Sequence, residues 1–249
     1  RAVFGCVGIG GALTGHENTN RIKGTTAFEL DPTARDFLRR YKPHLKLLAD
    51  AKSEAVWALK GEDIFHIGCP CNDASSLTPV GFSGPVMMLY LEMATFACRK
   101  GFKVSVFEMV PNVLVHEEGV IQEAFENHIR REGYPYTVLL LNSYDFGIPQ
   151  ERYHLYTVIL NPRYGDPSLF VIPSATRQPE DPTCVQDILG PESEVKASEY
   201  LGASSVKRMP FKGPLTSPLV IGIRGKGGIG RPGNPGTVCH IAHPCPKLL

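Results

Sequence analysis

Ile64-Phe65-His66-Ile67-Gly68-Cys69-Pro70-Cys71-Asn72-Asp73 is an apolar run that halts at a Pro-Cys pair and opens into a polar segment. A short apolar run flanked by turn formers suits a strand buried on both faces of a parallel sheet. Pro70 fixes its own φ and biases Cys69 towards extended geometry, so the chain turns where the Cys71 thiol leaves the carboxyl end of the strand. In open α/β sheets that is where ligands bind. The stretch therefore predicts an α/β fold, a doubly wound and mostly parallel sheet, delivering a nucleophilic cysteine to a site. A cysteine taken alone is more often a small buried hydrophobe, so the neighbouring segments decide.

Upstream, Arg1 to Gly11 reads as a strand feeding a glycine-rich turn, with Gly8, Gly10 and Gly11 leaving bare backbone against which a ligand can lie. The same glycines suit a tight loop, and their spacing departs from the dinucleotide fingerprint, which argues against NAD. Thr25 to Pro32 predicts a second strand ending in an acid, Glu29, placed to accept both hydroxyls of a ribose. Asp31-Pro32 starts a helix whose Ala34, Phe37, Leu38 and Tyr41 recur at helical spacing. Leu47-Leu48-Ala49-Asp50 repeats the short strand with an acid at its tip. Three such tips in succession suggest one adenosyl-type ligand shared among them.

Downstream, residues 72–85 are rich in Ser, Thr, Gly and Pro and predict a loop. A helix follows over about 86–99, with Met87, Leu91, Ala94 and Cys98 on one face. Lys103 to Val113 predicts a strand carrying Glu108, whose carboxylate needs the strand's end and a partner because burying a lone charge is costly. A helix over 119–132 leads to strands 136–141 and 153–160. Beyond Asn161 the composition shifts to Pro, Gly and Ser with isolated apolar triplets such as Leu169-Phe170-Val171.

The 249 residues suffice for one sizeable α/β core with a smaller appendage or for two modest domains. A formal charge of +1 leaves any nucleic-acid contact to a local basic patch. Seven irregularly spaced cysteines and no signal peptide suggest reduced thiols and a cytoplasmic protein, bacterial or phage-encoded, or nuclear if eukaryotic. No apolar run is long enough to span a membrane. The chain opens at Arg1 directly into a strand and stops at Leu249, so further residues are expected at both ends. Cys239, His240, His243 and Cys245 match no common zinc spacing, and no metal is expected.

The ordered set Gly8-Ile9-Gly10-Gly11, Glu29-Leu30-Asp31, Asp50, Gly68-Cys69-Pro70-Cys71-Asn72, Glu108-Met109-Val110 and Tyr144-Asp145-Phe146-Gly147-Ile148-Pro149-Gln150-Glu151-Arg152 resembles the DNA cytosine-5 methyltransferase family across residues 1 to about 162. The resemblance implies a Rossmann-like class I methyltransferase fold over 1–162, a loop-rich target-recognition domain over 163–240, and the start of a return to the catalytic domain over 241–249. It implies S-adenosylmethionine as cofactor and S-adenosylhomocysteine as its product. Cys6, Gly8, Ile9, Gly10, Gly11, Glu29, Leu30, Asp50 and Pro70 then line the cofactor, with Glu29 on the ribose and Asp50 on the adenine amine. Cys71 becomes the nucleophile that adds to cytosine C6, Glu108 the acid at N3, and Arg152 the partner of O2, with His154 beside them. Duplex DNA is the implied partner, contacted by Asn72 and Ser75 and by Arg224, Lys226, Gly227, Gly228 and Arg231 of a glycine-rich run similar to the recognition loop of some bacterial members. The target base must be flipped out of the stack.

Several positions depart from the family pattern. Asn72 replaces the usual Gln, and Met109 replaces the amide of a Glu-Asn-Val motif. His154 stands for the second arginine of Gln-x-Arg-x-Arg and makes a positive charge pH-dependent. Leu30 replaces the aromatic residue that often covers the adenine. The terminal Gly-Asn-Ser-Val-type segment is not found in this sequence and is expected to lie beyond it, to be deleted, or to be supplied by a second chain; otherwise the protein is expected to act as a monomer on DNA. These departures keep open a degenerate DNA-binding pseudo-enzyme and an RNA-directed or hypermodifying relative.

Overall fold

The structure, a computed structural model, describes residues 1–70, 84–148, 152–176 and the backbone of 240–241. Cys71, Asn72, Ser75 and the glycine-rich run with Arg224, Lys226, Gly227, Gly228 and Arg231 lie outside the described residues.

Strand and helix alternate through the first two thirds of the chain. β1 (Ala2–Gly5), α1 (Gly11–Glu17), β2 (Gly24–Phe28), α2 (Pro32–Tyr41), β3 (Lys46–Leu48) and α3 (Glu54–Trp57) precede β4 (Ile64–Gly68). After it come α4 (Pro85–Lys100), β5 (Val104–Met109), α5 (Val120–Arg131), β6 (Tyr136–Asn142), β7 (Tyr153–Leu160) and a short β8 (His240–Ile241). The sheet order is β3-β2-β1-β4-β5-β7-β6-β8. The first five strands run parallel, β7 is antiparallel to β5, and β8 is antiparallel to β6. The chain winds outward from β1 to β3 and then crosses back to β4, which puts the topological switch between β1 and β4.

Alternation along β4 sends its residues to two cores. Phe65 and Ile67 are fully buried with Tyr90, Phe96, Phe107 and Phe125, beneath α4 and α5. The Phe65 ring meets Phe28, Phe96, Phe102 and Phe107 at centroid distances of 5.2 to 6.3 Å, and Tyr90 stacks on Phe125 at 4.0 Å. Such aromatic pairs add to the area they bury. On the opposite face Phe4, Leu13, Ala27 and Leu38 form a smaller core under α1 and α2. Helix α2 differs from its sequence pattern: Ala34 and Leu38 are buried, whereas Phe37 and Tyr41 are exposed and stack on each other at 4.3 Å. Phe37 lies one residue before Leu38, about 100° around the helix, which is enough to turn the aromatic pair away from the buried stripe. Met87 and Met93 are core residues of α4. β5 is shorter than its apolar pattern, because Pro111 opens a 3-10 turn directly after it. Leu169 and Val171 of the expected apolar triplet are exposed.

The described residues fall into two units, Arg1–Leu141 with His154–Val171 and β8, and Asn142–Tyr153 with 172–176. The first carries the sheet. In the second, Asn142 Oδ1 accepts from the Tyr144 and Arg152 backbone N–H groups at 3.2 and 2.9 Å, and Ser143 N–H donates to Arg152 O. No helix among the described residues is long and apolar enough to cross a membrane.

His66 is the polar exception in the β4 run. Its Nδ1 lies 2.8 Å from Nε2 of His16 in α1, and the Phe4 ring lies 6.0 Å away. One imidazole must donate and the other accept, so the accepting ring has to be neutral. Burial, with His16 as a second cause, pushes His66 down to about 4, and burial also lowers His16. Between about pH 4 and the ordinary imidazole value of about 6.5 the unfolded chain therefore binds more protons than the folded one. Stability present above pH 6.5 is expected to fall by about 3 kcal/mol from His66 as pH drops through that window. Urea unfolding at pH 7 and pH 4.5 measures this, and the joint variant His16→Leu, His66→Leu is expected to lose that part of the slope.

Candidate cofactor and catalytic site

The tips of β1 and β2 are joined through one carboxylate. After β1 the backbone turns through Cys6 (φ +47°), Gly8 (φ +55°) and Gly10 (φ +92°), conformations that side-chain-bearing residues seldom adopt. Gly8 N–H donates to Glu29 Oε2 at 2.7 Å, and Asp31 N–H donates to Glu29 Oε1 at 2.9 Å. Each carboxylate oxygen keeps a further acceptor position. Arg35 of α2 reaches back to donate to the Glu29 and Leu30 carbonyls at 2.8 and 2.6 Å, which locks the acid-bearing loop. Open space lies where a Cβ on Gly8 or Gly11 would project. Ile9 and Leu30 flank this turn with side chains 68% and 72% exposed. Burial, with the Glu29 charge as a second cause, pushes the Cys6 thiol up to about 12, so it stays neutral.

The tip of β3 lies next in the sheet. Glu29 N–H donates to Leu48 O at 3.2 Å, tying the ends of β2 and β3 together. Asp50 is exposed, its Oδ1 accepts from Lys52 N–H at 2.9 Å, and its carbonyl accepts from Ser53 Oγ at 2.6 Å. Ser53 caps α3.

The second acid sits at the junction of β4, β5 and β7. Gly68, the last residue of β4, pairs with Glu108. A Cβ on Gly68 would lie 2.9 Å from Glu108 Oε2, so glycine makes room for the carboxylate against the end of β4. Glu108 Oε1 is 3.4 Å from Nε2 of His154 on β7, with the two side chains 30% and 13% exposed. This is the partner that the sequence demanded for a carboxylate at the end of an apolar run. Met109 alternates to the other side of β5 and is buried in the large core. Cys69 is buried; burial, then Cys6 and Glu108, hold its thiol well above the usual range, whereas Pro70, the next residue, is exposed. Arg152 is held by its backbone to Asn142 and Ser143.

The structure thus brings Glu29 together with Gly8, and Glu108 together with Gly68 and His154. Sequence reasoning did not foresee the Arg35 clamp, whose signal was a basic residue six positions past the acid on a helix returning over it. Nor did it find the His16 partner of His66, although a polar residue inside an apolar strand calls for one. Among the described residues no three metal-ligating side chains come together.

The family model described as C-5 cytosine-specific DNA methylase matches residues 6–217. The chain is similar to the type II methyltransferase M.HhaI of Haemophilus parahaemolyticus, with 31% identity over 135 residues that make up 54% of this chain and 40% of that protein. It is also similar to the type II methyltransferase M1.ScrFI of Lactococcus lactis subsp. cremoris, with 27% identity over 158 residues, 61% of this chain and 39% of that protein. The chain therefore spans less than half the length of these two relatives. Among solved structures, the Entamoeba histolytica methyltransferase EhMeth shares the fold at a TM-score of 0.53 and 15% identity, covering 71% of this chain and 56% of that one. The family match takes in the glycine turn after β1 and the tips of β2 to β5, the places where the two acids are held. The chain belongs to the C-5 cytosine-specific DNA methylase family.

Proposed function

We propose that the protein transfers a methyl group from S-adenosylmethionine to C5 of cytosine in duplex DNA, through a covalent Cys71–C6 adduct on a flipped-out base. The observation that carries this reading is the Glu108 carboxylate lying against the end of β4, the strand that Cys69-Pro70-Cys71 follows in the sequence. It supports an acid and a nucleophile leaving adjacent strand tips, as activation of a pyrimidine ring requires.

The residues at the β1 and β2 tips fit the cofactor. Glu29 is fixed by two backbone N–H groups and keeps acceptor positions for a ribose diol. Open space in front of Gly8 and Gly11 lets a ligand approach bare backbone, and exposed Ile9 and Leu30 offer apolar contact. Cys6, Gly10 and Pro70 complete this lining, and Asp50 takes the adenine amine. When bound, S-adenosylmethionine supplies the electrophilic methyl. Cytosine C5 is too weak a nucleophile to take it unaided, so the Cys71 thiolate adds at C6 and raises the electron density at C5. Glu108 stabilises N3 as charge builds there, and Arg152 holds O2. Expulsion of Cys71 with loss of the C5 proton restores the enzyme. Asn72 and Ser75 contact the DNA near the flipped base. Residues 163–240 form the target-recognition region, where Arg224, Lys226 and Arg231 meet phosphates and groove edges beside Gly227 and Gly228.

Duplex DNA bearing 5-fluorocytosine tests the reading, because fluorine at C5 cannot leave as a cation and a working enzyme stops as a covalent complex. With S-adenosylmethionine present, intact mass is expected to show an adduct one methyl group heavier than protein plus DNA. Cys71→Ala is expected to abolish it, while Cys69→Ala retains it, since the Cys69 thiol is buried and neutral. Absence of adduct from folded, DNA-binding protein contradicts the reading and favours a DNA-binding pseudo-enzyme, and an added mass other than methyl indicates hypermodification.

A further inference from the structure

The pairing of Glu108 with His154 gives the site a property that an arginine at position 154 could not. A guanidinium keeps its charge at any pH a protein tolerates and releases no proton, whereas an imidazole exchanges its proton near neutrality. Here the imidazole Nε2 stands 3.4 Å from the carboxylate, and both side chains are largely withdrawn from water. From β4, Gly68 presents only backbone to Glu108, and the Cys69 thiol just beyond is kept neutral by burial. From β7, Tyr156 lies opposite Glu108 in register, with its ring 6.5 Å from that of His154. Among the described residues, the Glu108 carboxylate and the His154 imidazole thus meet as an acid and a base in a partly dry setting, where two interacting groups exchange protons as one unit.

We propose that Glu108 and His154 share one dissociable proton, and that this is the proton cytosine N3 takes up when the nucleophile adds at C6, with His154 acting as a positioning residue that keeps the proton on the pair near neutral pH. The inference rests on the methyl-transfer reading above. The thiolate lone pair forms the S–C6 bond, the C5=C6 π pair moves to C4–C5, and the N3=C4 π pair settles on N3, which receives the proton from Glu108. When C5 captures the methyl, the C4=C5 pair forms the new C–C bond and the N3 lone pair re-forms N3=C4. The N3 proton then returns to the pair, which is not consumed.

The test compares the rate of 5-fluorocytosine adduct formation in wild type and His154→Gln from pH 5 to 8.5. Ionisation of Cys71 is common to both proteins and cancels in the ratio of rates. The ratio of wild type to variant is expected to climb as pH rises towards the imidazole range, by up to about tenfold per unit, and to level off beyond it. A ratio that stays constant across the range assigns His154 a merely structural role and overturns the inference while leaving methyl transfer intact. No adduct from folded wild type at any pH overturns the methyl-transfer reading, and this inference with it. A second readout needs no DNA: the His154 imidazole, followed by NMR, is expected to titrate at higher pH in wild type than in Glu108→Gln, and equal midpoints overturn the shared proton.

Discussion

Parallel strands cannot be joined by tight turns, so each must be followed by a crossover, and all their carboxyl ends emerge on one edge of the sheet. That constraint organises this protein. Five parallel strands, β3-β2-β1-β4-β5, are pinned in register by Phe65 and Ile67 beneath α4 and α5 and by Phe4 and Leu38 on the other face. Gly8, Glu29, Asp50, Cys69 with Pro70, and Glu108 all follow or end one of these strands. A slip of β4 by one residue would send His66 into the aromatic core and turn Phe65 away from it. The register that builds the core is therefore the register that builds the site.

Two glycines seat the two acids by different means. Gly8 adopts a left-handed turn that aims its N–H at Glu29, so the carboxylate is held by backbone donors and keeps its outer lone pairs. Gly68 contributes the absence of a side chain, and Glu108 lies where a Cβ would otherwise stand. In both cases an acid from one strand end rests on the glycine of a neighbouring element. This arrangement satisfies a partly buried charge while leaving its reactive edge available.

Much of this was legible in the sequence. The bounds of β7 coincide with its apolar run, and α4 and α5 lie within a residue or so of their periodic patterns, because long regular segments carry a strong signal. Glu29 and Glu108 could be picked out since a carboxylate after an apolar run has to lie at a strand's end. Gly8 and His154 could be named as site residues, but not their contacts with the two acids, which depend on how the strand ends are brought together and not on sequence proximity. Phe37 and Tyr41 misled because spacing alone does not say which stripe of α2 is covered. Met109 reads as a lost amide in the motif, but alternation along β5 makes it a core residue. The His16–His66 pair is invisible to local pattern, since it depends on α1 packing back over β4.

The proposed methyl transfer requires the β1 and β2 tips to hold an adenosyl ligand through Glu29, and calorimetric titration with S-adenosylhomocysteine probes that requirement. Hydrogen bonds to a charged group contribute about 1.5 to 3 kcal/mol, so one-to-one binding by the wild-type protein and at least about tenfold weaker binding by Glu29→Ala are expected. Equal affinity in the two proteins, or no binding by folded wild type, would contradict that requirement.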